Sequence, residues 1–209
     1  MPVRLFYQRE AAGPNVPERT VNGRGRAANP VPRDNRAMPV IADVLRAHID
    51  YTAWASQRLV DAAAELSEEE LVRDFRTSER SVLGTLVHVF AADRIWLWRL
   101  AGGGESPGFV ADADYSLAVL QNDWPALQER WRLWAAGLTD ASTERLVDYK
   151  DLKGNAHRQP LWQLVLHVVN HGTHHRGQVS GMLRAMGRVP PPLDLIVYYR
   201  QLGAAGAAS

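Results

Sequence analysis

The chain has 209 residues, enough for one domain with a sizeable core, and its 46% hydrophobic and 22% charged residues are those of a globular protein. It contains no cysteine, which excludes disulfides, thiolate zinc sites and cysteine nucleophiles and fits a reducing compartment. The net charge of +1 is split: residues 1–37 hold seven arginines against Glu10, Glu18 and Asp34, or +4, which leaves −3 for the rest and gives the folded part no basic field for nucleic acid.

Residues 1–37 read as a disordered basic leader. Five of the twelve prolines fall here among glycine, asparagine and arginine, and no helical or strand period survives. There is no apolar signal region, and no apolar run anywhere approaches the roughly 18–20 residues of a membrane span, so the expected location is cytoplasmic. Met38 opens the patterned region, and residues 38–209 are expected to form the folded domain.

From Met38 the periodicity is helical. Ile41, Leu45, His48, Thr52, Ala55, Leu59, Ala62 and Leu66 step by three and four, which predicts a long first helix to about Leu66. Ser67 to Glu70 matches a capping box and predicts a short extra turn. A second helix starts near Ser78–Ser81, with serine as N-cap, and stops at Gly102. GGGESPGFVADAD is a loop. A third helix covers about Leu117 to Gly137 and carries Trp124, Leu127, Trp131 and Trp134. Two short runs flank Lys153-Gly154-Asn155 and predict a hairpin. The fourth helix runs from about Pro160, a residue suited to a first turn, to Met186, with Gly187 as C′ residue and Pro190 to Pro192 as a stop. Four long amphipathic helices and one hairpin predict an all-α four-helix bundle with a small β-hairpin before helix 4.

The fourth helix holds the feature that asks for chemistry. His167, His171, His174 and His175 are four of the seven histidines, within nine residues. The inward stripe reads Leu164, Val168, His171, His175, Val179, Met182, Met186. Residues four apart sit about 6 Å up one face, so His171 and His175 can converge on one point, with His167 a step behind and His174 rotated away. A buried imidazole needs a partner for each nitrogen, and a divalent ion supplies one to each ring. The alternatives are a hydrogen-bonded core pair or a solvated face. Two ligands from one helix rarely suffice, and His88, in the middle of helix 2 among Gly84, Thr85, Ala91 and Ala92, is the favoured third. His48 reads as structural and His157 as exposed. Three imidazoles with open positions describe a reactive site rather than a closed structural one. Imidazole donors suit zinc, nickel, iron or copper, and zinc or nickel is the expectation here.

At these residues the chain resembles the DinB/YfiT-like metalloproteins, a family named for a DNA-damage-inducible member and unrelated to the polymerase of similar name. HVVNHGTHHRGQV with PPPLDLIVYYR resembles the family's fourth helix and tail, and SERSVLGTLVHVFAADRIWL its second helix. YTAWASQRLVDA, with Tyr51 and Trp54, resembles a segment of helix 1, and DYKDLKGN the hairpin. The similarity covers about residues 38–200. It implies an up-down-down-up bundle, commonly dimeric, and a divalent metal on His88, His171 and His175. His167 and Asn170 match lesser motif positions and are candidates for supporting the ligands, and Arg176 and Gln178 match HRGQ.

The resemblance further implies metal-dependent transferases that use a low-molecular-weight thiol as cosubstrate. The leading expectation is an S-transferase acting on an electrophilic small molecule, with Asp93 or Tyr51 as candidates for proton transfer. A metal-dependent hydrolase with metal-bound water would use the same residues. A non-catalytic metal-binding stress-response protein is a further alternative. The expected partners are a small-molecule substrate and a second copy of the chain, with no membrane and no nucleic acid. Trp96, Trp98 and Trp162 are candidate pocket walls, and Leu193 to Tyr199 is expected to pack across the bundle end.

Overall fold

The computed structural model describes residues 41–103, 106–108, 116–151 and 153–206. The expected leader, 1–37, and much of the loop before the third long helix lie outside the described residues. The described chain is mostly helical, with one two-stranded antiparallel sheet. The elements are α1 (Ala42–Ala64), α2 (Glu68–Val72), α3 (Val82–Leu100), α4 (Leu117–Ala136), α5 (Asp140–Thr143), β1 (Leu146–Lys150), β2 (Ala156–Pro160), α6 (Leu161–Ala185) and α7 (Leu195–Gly206).

Local chemistry sets most of these boundaries. α2 begins with a capping box in which Ser67 and Glu70 satisfy each other's backbone amides. Ser81 and Ser116 cap α3 and α4, accepting from Gly84 N at 3.0 Å and Val119 N at 3.3 Å. α1 lacks a side-chain cap of its own. Its first amide, Ala42 N, donates instead to Asp140 Oδ1 at 2.7 Å, a carboxylate delivered by the short α5. The Arg46 guanidinium then donates to the carbonyls of Ala135 and Leu138 at the end of α4, so the starts of α1 and α5 and the end of α4 are stitched together. Pro125 lies inside α4 and cannot donate to the Gln121 carbonyl. Gln121 is exposed, which leaves that carbonyl access to water.

α6 is stopped by Gly187, which lies two residues past its last turn and adopts φ +77°. Gly187 N donates to Arg184 O and Arg188 N to Leu183 O, both at 2.9 Å, the paired bonds of a Schellman turn. The hairpin pairs Leu146 with Pro160 and Lys150 with Ala156 around a tip where Gly154 takes φ +85°. Pro160 differs from expectation. It ends β2 and stands before α6 in extended conformation rather than in the helix's first turn. The sequence reading also lacked two helices. α5 is four residues long, too short to show a period. α7 was read only as a packing segment, because three prolines precede it and its first bonds run to the Asp194 carbonyl.

α1 packs against α4 and α6, and α3 against the same two helices. Between them lies a core built on Trp124, Leu45, Leu59, Leu86, Leu120, Leu161 and Leu183, each almost wholly inaccessible. Phe90 packs on Trp124 with ring centroids 5.8 Å apart and planes tilted by 60°, a favourable aromatic geometry. α7 closes on α1 through a separate cluster of Tyr51, Ala55 and Tyr198. The core fixes the mutual placement of α3 and α6, the two helices that carry the central histidines.

Candidate metal centre

His88 projects from α3, and His171 and His175 from successive turns of α6. α3 and α6 are packed partners, so the i, i+4 pair faces the single ring across the interface. The ring centroids are 5.0 Å (His88–His171), 4.5 Å (His88–His175) and 4.5 Å (His171–His175) apart. Each ring offers one nitrogen to a common point, all three within 4.8 Å of one another. His88 Nε2 and His171 Nε2 are 3.0 Å apart. Two nitrogens bound to one ion at about 2.0–2.1 Å stand roughly 3 Å apart at a right angle and about 3.4 Å apart in a tetrahedron. The residues present therefore fit a divalent ion.

The electrostatics of the cluster match a ligand set. Burial, then the neighbouring His175, His88, His167 and His174, push the His171 imidazole down to about 3. Burial lowers His88 as well. It lowers His175 too, although the hydrogen bond to Gln178 pulls that ring the other way. Neutral imidazoles are the form a metal binds.

The outward nitrogens are also placed. His175 Nδ1 lies 2.8 Å from Gln178 Oε1, so this nitrogen donates and Nε2 is left for the centre. The Gln178 amide nitrogen reaches His174 Nε2 at 3.3 Å, and His174 itself is exposed. His88 Nδ1 faces Glu79 Oε1 at 3.7 Å, just beyond hydrogen-bond length. Burial raises the Glu79 carboxyl, against the pull of His175. Sequence reasoning missed Glu79, because it precedes α3 in a stretch with no period and only the folded loop turns it toward His88.

The other sequence candidates have different surroundings. His167 is exposed and sets its ring against Trp96 at 5.1 Å, with His171 at 5.9 Å. Asn170 is exposed. Asp93 is buried in the core, where Trp124 Nε1 donates to its carboxylate at 3.0 Å and Trp131 Nε1 to its carbonyl at 3.2 Å. Burial raises its pKa to about 7. Asp93 also lines a cavity with Thr52, Gln128 and Val168, with room for about one water. None of that cavity's walls is one of the three clustered histidines.

Tyr51 donates to the Leu193 carbonyl at 2.8 Å and packs on Trp54 and Tyr198. Arg176 is buried with its guanidinium over Tyr51, donating to Ser56 and Thr173 at 3.4 and 3.0 Å. His48 Nδ1 bonds the Val44 carbonyl, and His157 lies against Asp151 and Tyr149 in the hairpin. Trp96 is joined to the histidine row through His167, and it continues to Tyr149 at 5.3 Å.

Comparison with known proteins gives three findings. Residues 38–204 match the model of the DinB family. Protein DinB of Bacillus subtilis (strain 168) is 24% identical over 156 residues, which cover 71% of this chain and 90% of that protein. Among solved structures, a DinB-like protein from Bacillus cereus is similar with a TM-score of 0.47 and 20% identity, covering 68% of this chain and 91% of that chain.

Proposed function

The chain belongs to the DinB family, and on that premise we propose that it is a divalent-metal-dependent enzyme in which His88, His171 and His175 hold the ion, with zinc or nickel as the metal. The observation that carries the reading is the convergence of three neutral imidazoles from two packed helices, with two of their Nε2 atoms 3.0 Å apart. A divalent ion bound there would favour the deprotonated form of a thiol or water near neutral pH.

The reaction we assign is thiol transfer to an electrophilic small molecule. The thiol sulfur forms a bond to the electrophilic carbon, the thiol proton passes to solvent or a base, and the leaving group departs with its electron pair. The three histidines contribute no charge of their own to the centre. Gln178 holds the His175 ring by its outer nitrogen. Trp96 and His167 offer an aromatic edge beside His171 on which a substrate can lie.

In the same proposal residues 38–209 form the folded domain, and α1, α3, α4 and α6 run up-down-down-up. Arg46 at the start of α1 meeting Ala135 at the end of α4, and Trp96 late in α3 meeting His167 early in α6, support that course by making both pairs antiparallel. A homodimer is proposed on the family resemblance, and gel filtration with light scattering checks it. None of the described helices is long and apolar enough to cross a membrane.

The experiment for the chemistry is turnover of a panel of electrophiles by the zinc- or nickel-loaded chain, with and without a low-molecular-weight thiol. Product that contains sulfur, formed only with thiol and lost in His171→Ala, supports the transferase. Thiol-independent product that takes its oxygen from water replaces it with a hydrolase. Stoichiometric metal with no turnover of any electrophile leaves a non-catalytic metal protein.

A further inference from the structure

The loop between α2 and α3 contains the two non-glycine residues that adopt left-handed backbone angles among the described residues, Arg76 at φ 59° and Arg80 at φ 64°. Such angles are disfavoured for side chains with a Cβ and persist where the surroundings impose them. The surroundings are plain here. Asp74 Oδ1 accepts from Arg76 N at 2.7 Å, and Asp74 Oδ2 accepts from the Arg80 guanidinium at 2.6 Å. Phe75 N donates to Arg80 O at 2.7 Å, and Ser81 N to Glu79 O at 2.7 Å. The loop is folded back on itself and clamped, and the residue at its bend is Glu79.

The bend aims the Glu79 carboxylate, three-quarters shielded from solvent, at Nδ1 of His88. That nitrogen lies on the far side of the ring from Nε2, which faces His171. A carboxylate there cannot take a place in the first coordination sphere through the same face. It is also poorly placed to exchange protons with a substrate at the centre. At 3.7 Å it stands a few tenths of an ångström beyond hydrogen-bond length, and a small side-chain adjustment lets it accept a proton from Nδ1, which fixes the tautomer that presents the Nε2 lone pair inward.

We propose that Glu79 is a positioning residue for the metal centre. It acts through His88, as Gln178 acts through His175, and the strained 74–81 loop exists to deliver it. This inference rests on the reading of His88, His171 and His175 as metal ligands. It adds what a ligand set alone does not contain: a charged outer partner supplied by a loop outside both ligand-bearing helices.

The test uses the full chain as wild type, Glu79→Gln, Glu79→Ala and His88→Ala. Zinc affinity is measured by competition with a chromophoric chelator. The tautomer of His88 in metal-free protein is read from its ring 15N shifts, and a thermal melt of each metal-free variant reports the fold. We expect Glu79→Ala to bind zinc about 10–100-fold more weakly than wild type. Its His88 should move from a single Nδ1–H tautomer toward a mixture. Glu79→Gln, which keeps an oxygen acceptor without the charge, should lie between, and the melts should agree.

Wild-type zinc affinity and a single His88 tautomer in both Glu79 variants would overturn the inference while leaving the metal site standing. Unchanged affinity and tautomer with lost turnover would make Glu79 a proton-transfer group instead. Wild type that binds neither zinc nor nickel would sink the metal reading, and this inference with it.

Discussion

Asp93 shows how a buried acid can weigh against the fold that holds it. Its folded pKa of about 7 lies above the ordinary 3.8, because burial disfavours the charged form more than Trp124 and Arg176 favour it. Between those values the folded chain keeps a proton that the unfolded chain has released. Stability therefore falls as pH rises through that window, at about 1.4 kcal/mol per unit for this one group. Asp93→Asn should lack this slope, so its stability relative to wild type should improve from pH 5 to pH 8 by a few kcal/mol in denaturant titrations. Parallel curves would show that Asp93 ionises in the fold as freely as in the unfolded chain. Gln178→Ala removes the acceptor 2.8 Å from His175 Nδ1 and should weaken zinc binding about tenfold, measured by chelator competition. At this scale the sequence was legible where spacing did the placing. His171 and His175 share a face because they are four apart on an apolar stripe, and His88 was the mid-helix histidine left to meet them. Glu79 was illegible because its aim depends on left-handed turns at Arg76 and Arg80, which arginine does not advertise. Asp93 was legible as a carboxylate in a helix but not as a core residue, since its burial comes from two tryptophans on α4.

The elements make two further predictions. Gly187 takes φ +77° to close the Schellman turn of α6, so Gly187→Ala should cost about 1 kcal/mol, or roughly 2–4 °C of melting temperature. Inside the same helix, Gly172 lies against the buried Arg176. A Cβ at Gly172 would stand 2.7 Å from Arg176 Nη1, close enough to displace the guanidinium from Ser56 and Thr173. Alanine in a helix ordinarily gains about 0.5–1 kcal/mol over glycine. That gain should appear for Gly172→Ala in an Arg176→Ala background and vanish in the wild type, as a double-mutant cycle would measure. Equal effects in both backgrounds would mean the guanidinium moves aside at no cost. The helix starts at Ser67 and Ser81 and the stop at Gly187 were readable because caps are local chemistry. α5 and α7 were not. One is a single turn whose purpose, capping α1 through Asp140, is a contact across 98 residues. The other is recognised by Tyr198 closing on Tyr51, with ring centroids 5.9 Å apart, rather than by its own period.

At the scale of the molecule, the buried hydrophobic core of the described residues runs from Ala42 to Tyr198. A chain begun at Met38 should accordingly match the full chain in melting temperature and zinc affinity, and a loss of either would give residues 1–37 a part in the fold or the site. The most direct test of the account is metal content by mass spectrometry on protein purified without a histidine tag, comparing wild type with His171→Ala. We predict about one ion per chain in the wild type, and its loss in the variant, where only two of the three nitrogens remain. Wild type without metal after reconstitution with zinc or nickel, or a variant that holds as much as wild type, would contradict the assignment and leave the histidines as a hydrogen-bonded core.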